Sequence, residues 1–469
     1  LILTNAKVWT GDGFADSVVI DGDRIAATGG ARGGLDLGGR LVLPGFIDNH
    51  THFIDGGFQL SRVQLRDAST PDEFARRIAA HPGSGWILGG SWDHTLWSPP
   101  ALPTRELVDI DRPVFVTRLD MHMGLANARA LALAGITRHT PDPPGGAIVR
   151  DARGEPTGIL KDAAMSLVPV PPPTIEERVT ALRAALAEAA RFGVTALCDM
   201  SGSDAHDDWF AYQQIEPTAR VALYAPILAE RFDAPGLKGF ADGSLGSSTA
   251  ALFEPYSDDP DNRGLMMEAM TNGRMREAVA AAGGRHVAIH AIGDRANDEV
   301  LQIFDSMPRG RRYRIEHAQH LSPSLIRRFA EAEVIASMQP YHAVDDGRWM
   351  LPKIGPQRAR WAYAFRELVD AGVTVTFGSD WTVAPLNPLL GVYAAAERGL
   401  TVAEALRCYT VNNAFAMRRE REIGRIAPGM LADLVVLDRD LFTIPIDEIP
   451  KTNVDFTIFD GKTIYERRT

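Results

Sequence analysis

Leu41-Val42-Leu43-Pro44-Gly45-Phe46-Ile47-Asp48-Asn49-His50-Thr51-His52 is an aliphatic run that closes on polar residues. Such a run reads as a buried strand whose end opens into a site. In extended backbone, residues i and i+2 share a face, so His50 and His52 reach toward one point. Imidazole is the commonest protein ligand for zinc and similar ions, and two at a strand end make half a metal site. An isolated pair of this kind also occurs as solvated loop histidines. The metal reading therefore depends on what else in the chain completes the site.

Downstream of Thr174 the pattern becomes regular. A capped helix is predicted from Thr174 to Phe192, ending at Gly193. Seven further strands are predicted: Val194–Asp199, Val221–Ile227, Leu237–Asp242, His286–His290, Tyr313–His317, Val334–Gln339 and Val373–Asp380. Helical patterns lie between most of them, among them Thr271–Ala282, Ala296–Phe304 and Ser322–Glu331. Counted with the strand before His50, this alternation is that of an α/β fold, a (β/α)8 TIM-like barrel whose active site lies where the strand C-termini meet.

The chain ends carry different material. Residues 1–40 hold short alternating runs punctuated by Gly11-Asp12-Gly13 and Asp21-Gly22-Asp23, which is hairpin chemistry. Asp433–Asp438, Val454–Phe459 and Thr463–Tyr465 supply matching pieces. The expected organisation is a small composite β-sandwich domain from 1–42 and 420–469, and the barrel from 43–57 and 174–419. Residues 58–173, rich in prolines, aromatics and turns, read as an inserted subdomain after strand one that covers the barrel mouth.

Placed on this barrel, His50 and His52 end strand one, His290 strand five, His317 strand six and Asp380 strand eight. Unrelated core histidines would not keep choosing strand C-termini, so the four histidines and the carboxylate read together as a metal centre. They exceed the three protein ligands of a simple catalytic zinc, which makes room for a second ion and for a bridging anion. Lys238 on strand four is the candidate bridge: as a neutral amine it can add carbon dioxide and become a carbamate. Its ordinary alternative is an ion pair with Asp242 or Glu316, and Asp242 is itself another candidate anion. The expected cofactors are one or two divalent ions, zinc foremost, with carbon dioxide as the Lys238 carbamate in the two-ion case.

A net charge of -11 without a basic block argues against nucleic acid or an anionic membrane as partner. No apolar run reaches the ~18 residues of a membrane span, and the N-terminus lacks a signal-peptide pattern. The chain starts at Leu1 rather than at methionine, so the numbering is expected to omit a few residues. Two cysteines, Cys198 and Cys408, fit a reducing compartment, and the expected location is cytoplasmic. Neither reads as a nucleophile. Gly243-Ser244-Leu245-Gly246 lacks the lysine of a phosphate loop. The expected partner is a small-molecule substrate; the oligomeric state stays open, with a homodimer common among barrels of this kind.

The His-x-His on strand one, lysine on strand four, histidines on strands five and six and aspartate on strand eight resemble the amidohydrolase superfamily, metal-dependent hydrolases built on a barrel plus a two-ended β-sandwich. More narrowly, Gly90-Ser91-Trp92-Asp93, Asp120-Met121-His122-Met123-Gly124-Leu125-Ala126-Asn127, Pro143-Pro144-Gly145-Gly146, Lys238–Gly246, His290-Ala291-Ile292-Gly293-Asp294 and Ser337-Met338-Gln339-Pro340 resemble the amidohydrolase 3 branch that contains N-substituted formamide deformylase. The resemblance implies one or two divalent ions, usually zinc, with the lysine carboxylated in two-ion members. It also implies that His122 reaches over the mouth to the substrate carbonyl.

The expected reaction is hydrolysis of an amide or N-formyl C–N bond by metal-activated hydroxide, with Asp380 as general base and then general acid. Trp92, Tyr341 and Arg295 are the candidate substrate contacts, with Trp97, His320, His342 and Trp381 as weaker ones. Two other readings remain at this point. One is a single-ion deaminase of an amidine-like substrate; the other is a barrel that binds a ligand or partner without turnover.

Overall fold

The computed structural model describes residues 1–202, 205–229 and 234–468. Eight parallel strands run side by side in chain order: β1 (Phe46–Thr51), β2 (Val194–Asp199), β3 (Arg220–Pro226), β4 (Gly236–Phe240), β5 (His286–Ala291), β6 (Arg314–His317), β7 (Ile335–Met338) and β8 (Val375–Phe377). A single extended ladder does not join β8 to β1. The ring closes through two loop contacts, Asp380 N–H to the His50 carbonyl at 2.7 Å and His52 N–H to the Trp381 carbonyl at 2.6 Å. Closure and the candidate site thus use the same residues.

The opening stretch is two strands rather than one. Leu41–Pro44 pairs antiparallel with Leu434–Leu437 in a six-stranded sheet built from both chain ends, and the barrel strand begins only at Phe46. Gly45 makes the junction because β2 passes so close that a Cβ there would stand 2.2 Å from the Thr195 hydroxyl. The first N-terminal run divides in the same way. Ile2–Thr4 joins a four-stranded sheet and Lys7–Trp9 the six-stranded one, with Asn5 at φ 49° turning the chain between them.

Between β1 and β2, a second six-stranded sheet is formed by Val63–Gln64, Ile87–Trp92, Val114–Arg118, Met123–Ala126, Gly146–Arg150 and Pro156–Asp162. It has its own core around Leu65, Phe74, Trp92, Trp97 and Leu125. The helix Ile175–Arg191 that follows starts on a reciprocal cap between Thr174 and Glu177, which satisfies two of its free N–H groups. The pattern over Thr271–Ala282 yields two helices, Glu268–Thr271 and Arg274–Ala281, because Gly273 at φ 84° interrupts the helical backbone. Among the described residues no helix is long and apolar enough to cross a membrane.

β8 is shorter than its apolar run, so Asp380 sits beyond the strand on the loop Gly378-Ser379-Asp380. That loop lies tight against β1. The buried Asp48 carboxylate accepts the N–H groups of Ser379 at 2.9 Å and of His50 at 3.1 Å. A Cβ on Gly378 would stand 2.6 Å from the His50 nitrogen and 2.7 Å from Asp48 Oδ1. Gly378→Ala is therefore expected to destabilise the fold by about 1–3 kcal/mol, the usual cost of overpacking. Urea unfolding checks this, and an unchanged midpoint would contradict it.

Candidate metal centre

The end of β1 sends His50 inward, fully buried, while His52 keeps over a quarter of its side chain exposed toward the mouth. Asp380 stands between them, with Oδ1 3.5 Å from His50 Nε2 and 3.4 Å from His52 Nε2. Its other oxygen lies 3.9 Å from His317 Nδ1 and 3.8 Å from His342 Nε2. His50, His317 and Asp380 offer ligand atoms that all lie within 4.8 Å of one another. Both His317 (φ 73°) and Asp380 (φ 55°) hold left-handed backbone, which non-glycine residues adopt at an energetic cost.

Three of the imidazoles, those of His50, His317 and His290, are held by a further partner. His50 Nδ1 is engaged by the buried Glu316 carboxylate, which leaves Nε2 facing the centre. Glu316 is in turn held by Arg314 Nε at 2.8 Å and by the Ser337 hydroxyl at 2.8 Å. Arg314, also fully buried, donates to Asn49 on β1 and to the Tyr224 hydroxyl on β3. His317 Nδ1 lies 2.7 Å from Gln339 Oε1. His290 is one ring further out, 4.5 Å from His317 between centroids, with Nε2 donating to the Gly243 carbonyl at 3.0 Å.

Lys238 is buried with Nζ 3.4 Å from His50 Nε2. Among the described residues no carboxylate lies within ion-pair distance of it, so neither Asp242 nor Glu316 serves as its partner. Asp242 is a backbone clamp instead, accepting the N–H groups of Ile292, Gly293 and Ala251 at 2.8–3.0 Å.

Burial and charge set the protonation states. Desolvation pushes the Lys238 ammonium down to about 8 and, together with Lys238, pushes His50 down to about 4. Burial and the neighbouring His290 hold His317 well below the usual imidazole range. Burial alone would raise Asp380, but the imidazoles of His50, His52 and His317 outweigh it and hold the carboxyl well below its ordinary value. His52 goes the other way: burial lowers it, but the Asp380 carboxylate beside it more than restores it. The buried, neutral imidazoles of His50 and His317 beside an ionised carboxylate are the donor set that a divalent cation takes. Among the described residues, Asp380 Oδ1 is buried and takes no hydrogen bond, and the same is true of His342 Nε2. These orphaned atoms fit a cation.

The cluster floors a cavity of about 230 Å³. Asp120, His122, Ser244, Trp349 and Phe240 are among its walls, so both the insertion and the barrel loops line it. His122 Nδ1 lies 2.7 Å from Asp162 Oδ1, and Asp162 itself sits at φ 46°. Burial lowers the His122 imidazole, but the bond to Asp162 and the charges of Asp120 and Asp242 more than restore it, leaving a net upward shift. Asp120 collects Arg118 Nη1, Ser244 Oγ and Ser247 Oγ at 2.8–3.0 Å, joining the insertion to the loop after β4.

The three expected substrate contacts lie elsewhere. Trp92 is fully buried in the insertion core with its Nε1 donating to the Val116 carbonyl, so its indole is packing. Arg295 is exposed on the helix Asp294–Asp305, and Tyr341 precedes the helix His342–Asp346; neither lines the cavity. Trp97 belongs to the same core as Trp92, and Trp381 packs on Phe53. His320 is buried and is not a cavity wall. Cys198 and Cys408 are buried, and burial raises both thiols, Cys408 to about 12. Sequence reasoning missed Asp162 and the orienting role of Glu316. Asp162 is 40 residues from His122 and reaches it only because the sheet pairs Met123 with Lys161.

The sequence matches the amidohydrolase family model over residues 34–465. It is 36% identical to protein LONG AFTER FAR-RED 3 of Arabidopsis thaliana, covering 99% of this chain and 91% of that protein. It is 28% identical to N-substituted formamide deformylase of Arthrobacter pascens, covering 100% of this chain and 98% of that protein. Among solved structures, an uncharacterized metal-dependent hydrolase from Pyrococcus horikoshii superposes with a TM-score of 0.77 at 29% identity, covering 95% of this chain and 99% of that one.

Glu316→Gln removes the charge that orients His50. Zinc affinity, measured by competition with a chromophoric chelator, is expected to fall about 10- to 100-fold. An unchanged affinity in protein of native circular dichroism would contradict the role given to Glu316.

Proposed function

Because the chain belongs to the amidohydrolase family, we propose that it is a metal-dependent hydrolase that cleaves the C–N bond of a small amide or N-formyl amine. The observation that carries this reading is the buried Asp380 with one oxygen free of hydrogen bonds among the described residues and four histidine nitrogens 3.4–3.9 Å from its carboxyl group. His50, His52, His317, Asp380 and, with a ring adjustment, His290 would hold the cation. Lys238 as carbamate would bridge a second one, a reading favoured by its burial beside His50 without a carboxylate partner among the described residues. That lone lysine also favours two ions over the single-ion deaminase. When bound, such a cation lowers the pKa of water toward neutrality and polarises a carbonyl.

Asp380 takes a proton from the water that attacks the carbonyl carbon and passes it to the nitrogen as the C–N bond breaks, so one carboxylate serves as base and then acid. His122 contacts the carbonyl oxygen from the insertion side: with Nδ1 bound to Asp162, Nε2 is the nitrogen left for the cavity. Asp162 is a positioning residue that fixes this orientation.

With N-formyl and N-acyl amines as the panel, Asp380→Asn is expected to lower kcat by about 10²–10⁴-fold. Asparagine tolerates the left-handed backbone at this position. Full activity in a variant that binds metal normally would contradict the assignment. Asp162→Asn is expected to cost about 10- to 100-fold in kcat, the scale of one charged hydrogen bond. In a His122→Phe background the same change should cost nothing further; an equal loss in both backgrounds would contradict the coupling.

A further inference from the structure

Beyond His122 the cavity adjoins a second hollow of about 640 Å³. Met121, His122 and Phe240 line both spaces, so the two meet across these side chains. The rest of the hollow is lined by Pro144, Gly145, Ala163 and Met165 from the insertion and by Leu265, Met266 and Met267 from the loop after β4, with Asp162, Glu268 and Thr271 as its polar members. Of the 13 methionines in the chain, four line this one surface. Glu268 is exposed at its rim, and Asp162 is occupied by His122.

Phe240 forms the sill. It follows Lys238 by two residues, its ring lies 5.0 Å from Lys238 Nζ and 5.2 Å from the His290 ring, and it remains 41% exposed. Met121, also on the sill, is 40% exposed. A large apolar pair left open beside a buried polar centre, continuous with an apolar trough, calls for an apolar occupant.

Size gives the same answer. Pockets that enclose a small-molecule ligand usually measure about 300–1,000 Å³. The cavity over the cluster, at about 230 Å³, takes little more than the reacting amide and its nearest atoms. We propose that the methionine-lined hollow binds an alkyl or aryl arm of the substrate whose C–N bond lies over the cluster. This rests on the hydrolase reading and adds a substrate class to it: amides or formamides with an extended apolar substituent. Methionine is unbranched and polarizable, so the trough should accept arms of varied shape while rejecting charge.

The test uses the full chain and a homologous series of N-formyl n-alkylamines from methyl to octyl, with binding read by calorimetry and turnover read separately. In the wild type, affinity is expected to climb up to about fourfold per methylene until the trough is filled. In Met165→Glu and Met266→Glu the ratio of octyl to methyl affinity should collapse at least tenfold, and Met266→Leu should keep it. N-acyl methylamines of matching length identify which side of the bond carries the arm. A ratio unchanged in both glutamate variants, or a wild-type affinity flat with chain length, overturns the proposal, as does failure of the whole series to bind. Binding that climbs with length without turnover overturns the hydrolase reading and leaves the trough. Turnover without length dependence does the reverse.

Discussion

A buried charge chain lies beneath the site: Arg314, fully enclosed in the barrel, holds Glu316, and Glu316 holds His50. An isolated charge at this depth would cost many kcal/mol, so each member persists only because the next is in place. Arg314 also spends its remaining donors on β1, β3 and β7, through Asn49, Tyr224 and Ser337. The same network that keeps the guanidinium soluble in the core therefore fixes the spacing of the strands whose ends carry the ligands. His50 receives its orientation from the fold rather than from the ion.

Above this layer the mouth is assembled from separate chain segments. The Gly378-Ser379-Asp380 loop closes the barrel against β1 by backbone hydrogen bonds, and that closure sets Asp380 between His50 and His52. The insertion contributes His122 and Asp120, the latter tied to Ser244 and Ser247 after β4. Strained, left-handed backbone occurs here at Asp162, His317 and Asp380. Such conformations last where the surroundings over-determine them, as Asp48 does for the closing loop and the paired strands do for Asp162.

Much of this was legible in the sequence because two-residue spacing on a strand and repetition of strand and helix are periodic signals. The barrel strands emerged from their apolar runs, and His50, His52, His317 and Asp380 from their place at the run ends. What escaped lacks a period. Leu41–Thr51 is one continuous run in composition; the expected boundary at 42/43 divides it between the two units, but the break lies at Gly45, where β2 passes against the backbone and the pairing of Leu41–Pro44 ends. Trp92 and Tyr341 stood near promising motifs, but an aromatic that packs a core and one that lines a pocket look alike in a sequence. Phe240 and the methionines of the neighbouring hollow become a surface only when the insertion meets the loop after β4. Glu316 was legible as a charge near Lys238, yet its partner is His50, which depends on strand register.

The most direct test of the central claim is the metal content of the folded chain by plasma mass spectrometry, after expression with zinc and bicarbonate and removal of loosely held ions. About two ions per chain are expected, falling to about one when Lys238→Ala removes the bridge. Folded protein that carries none and cannot be reloaded would contradict it.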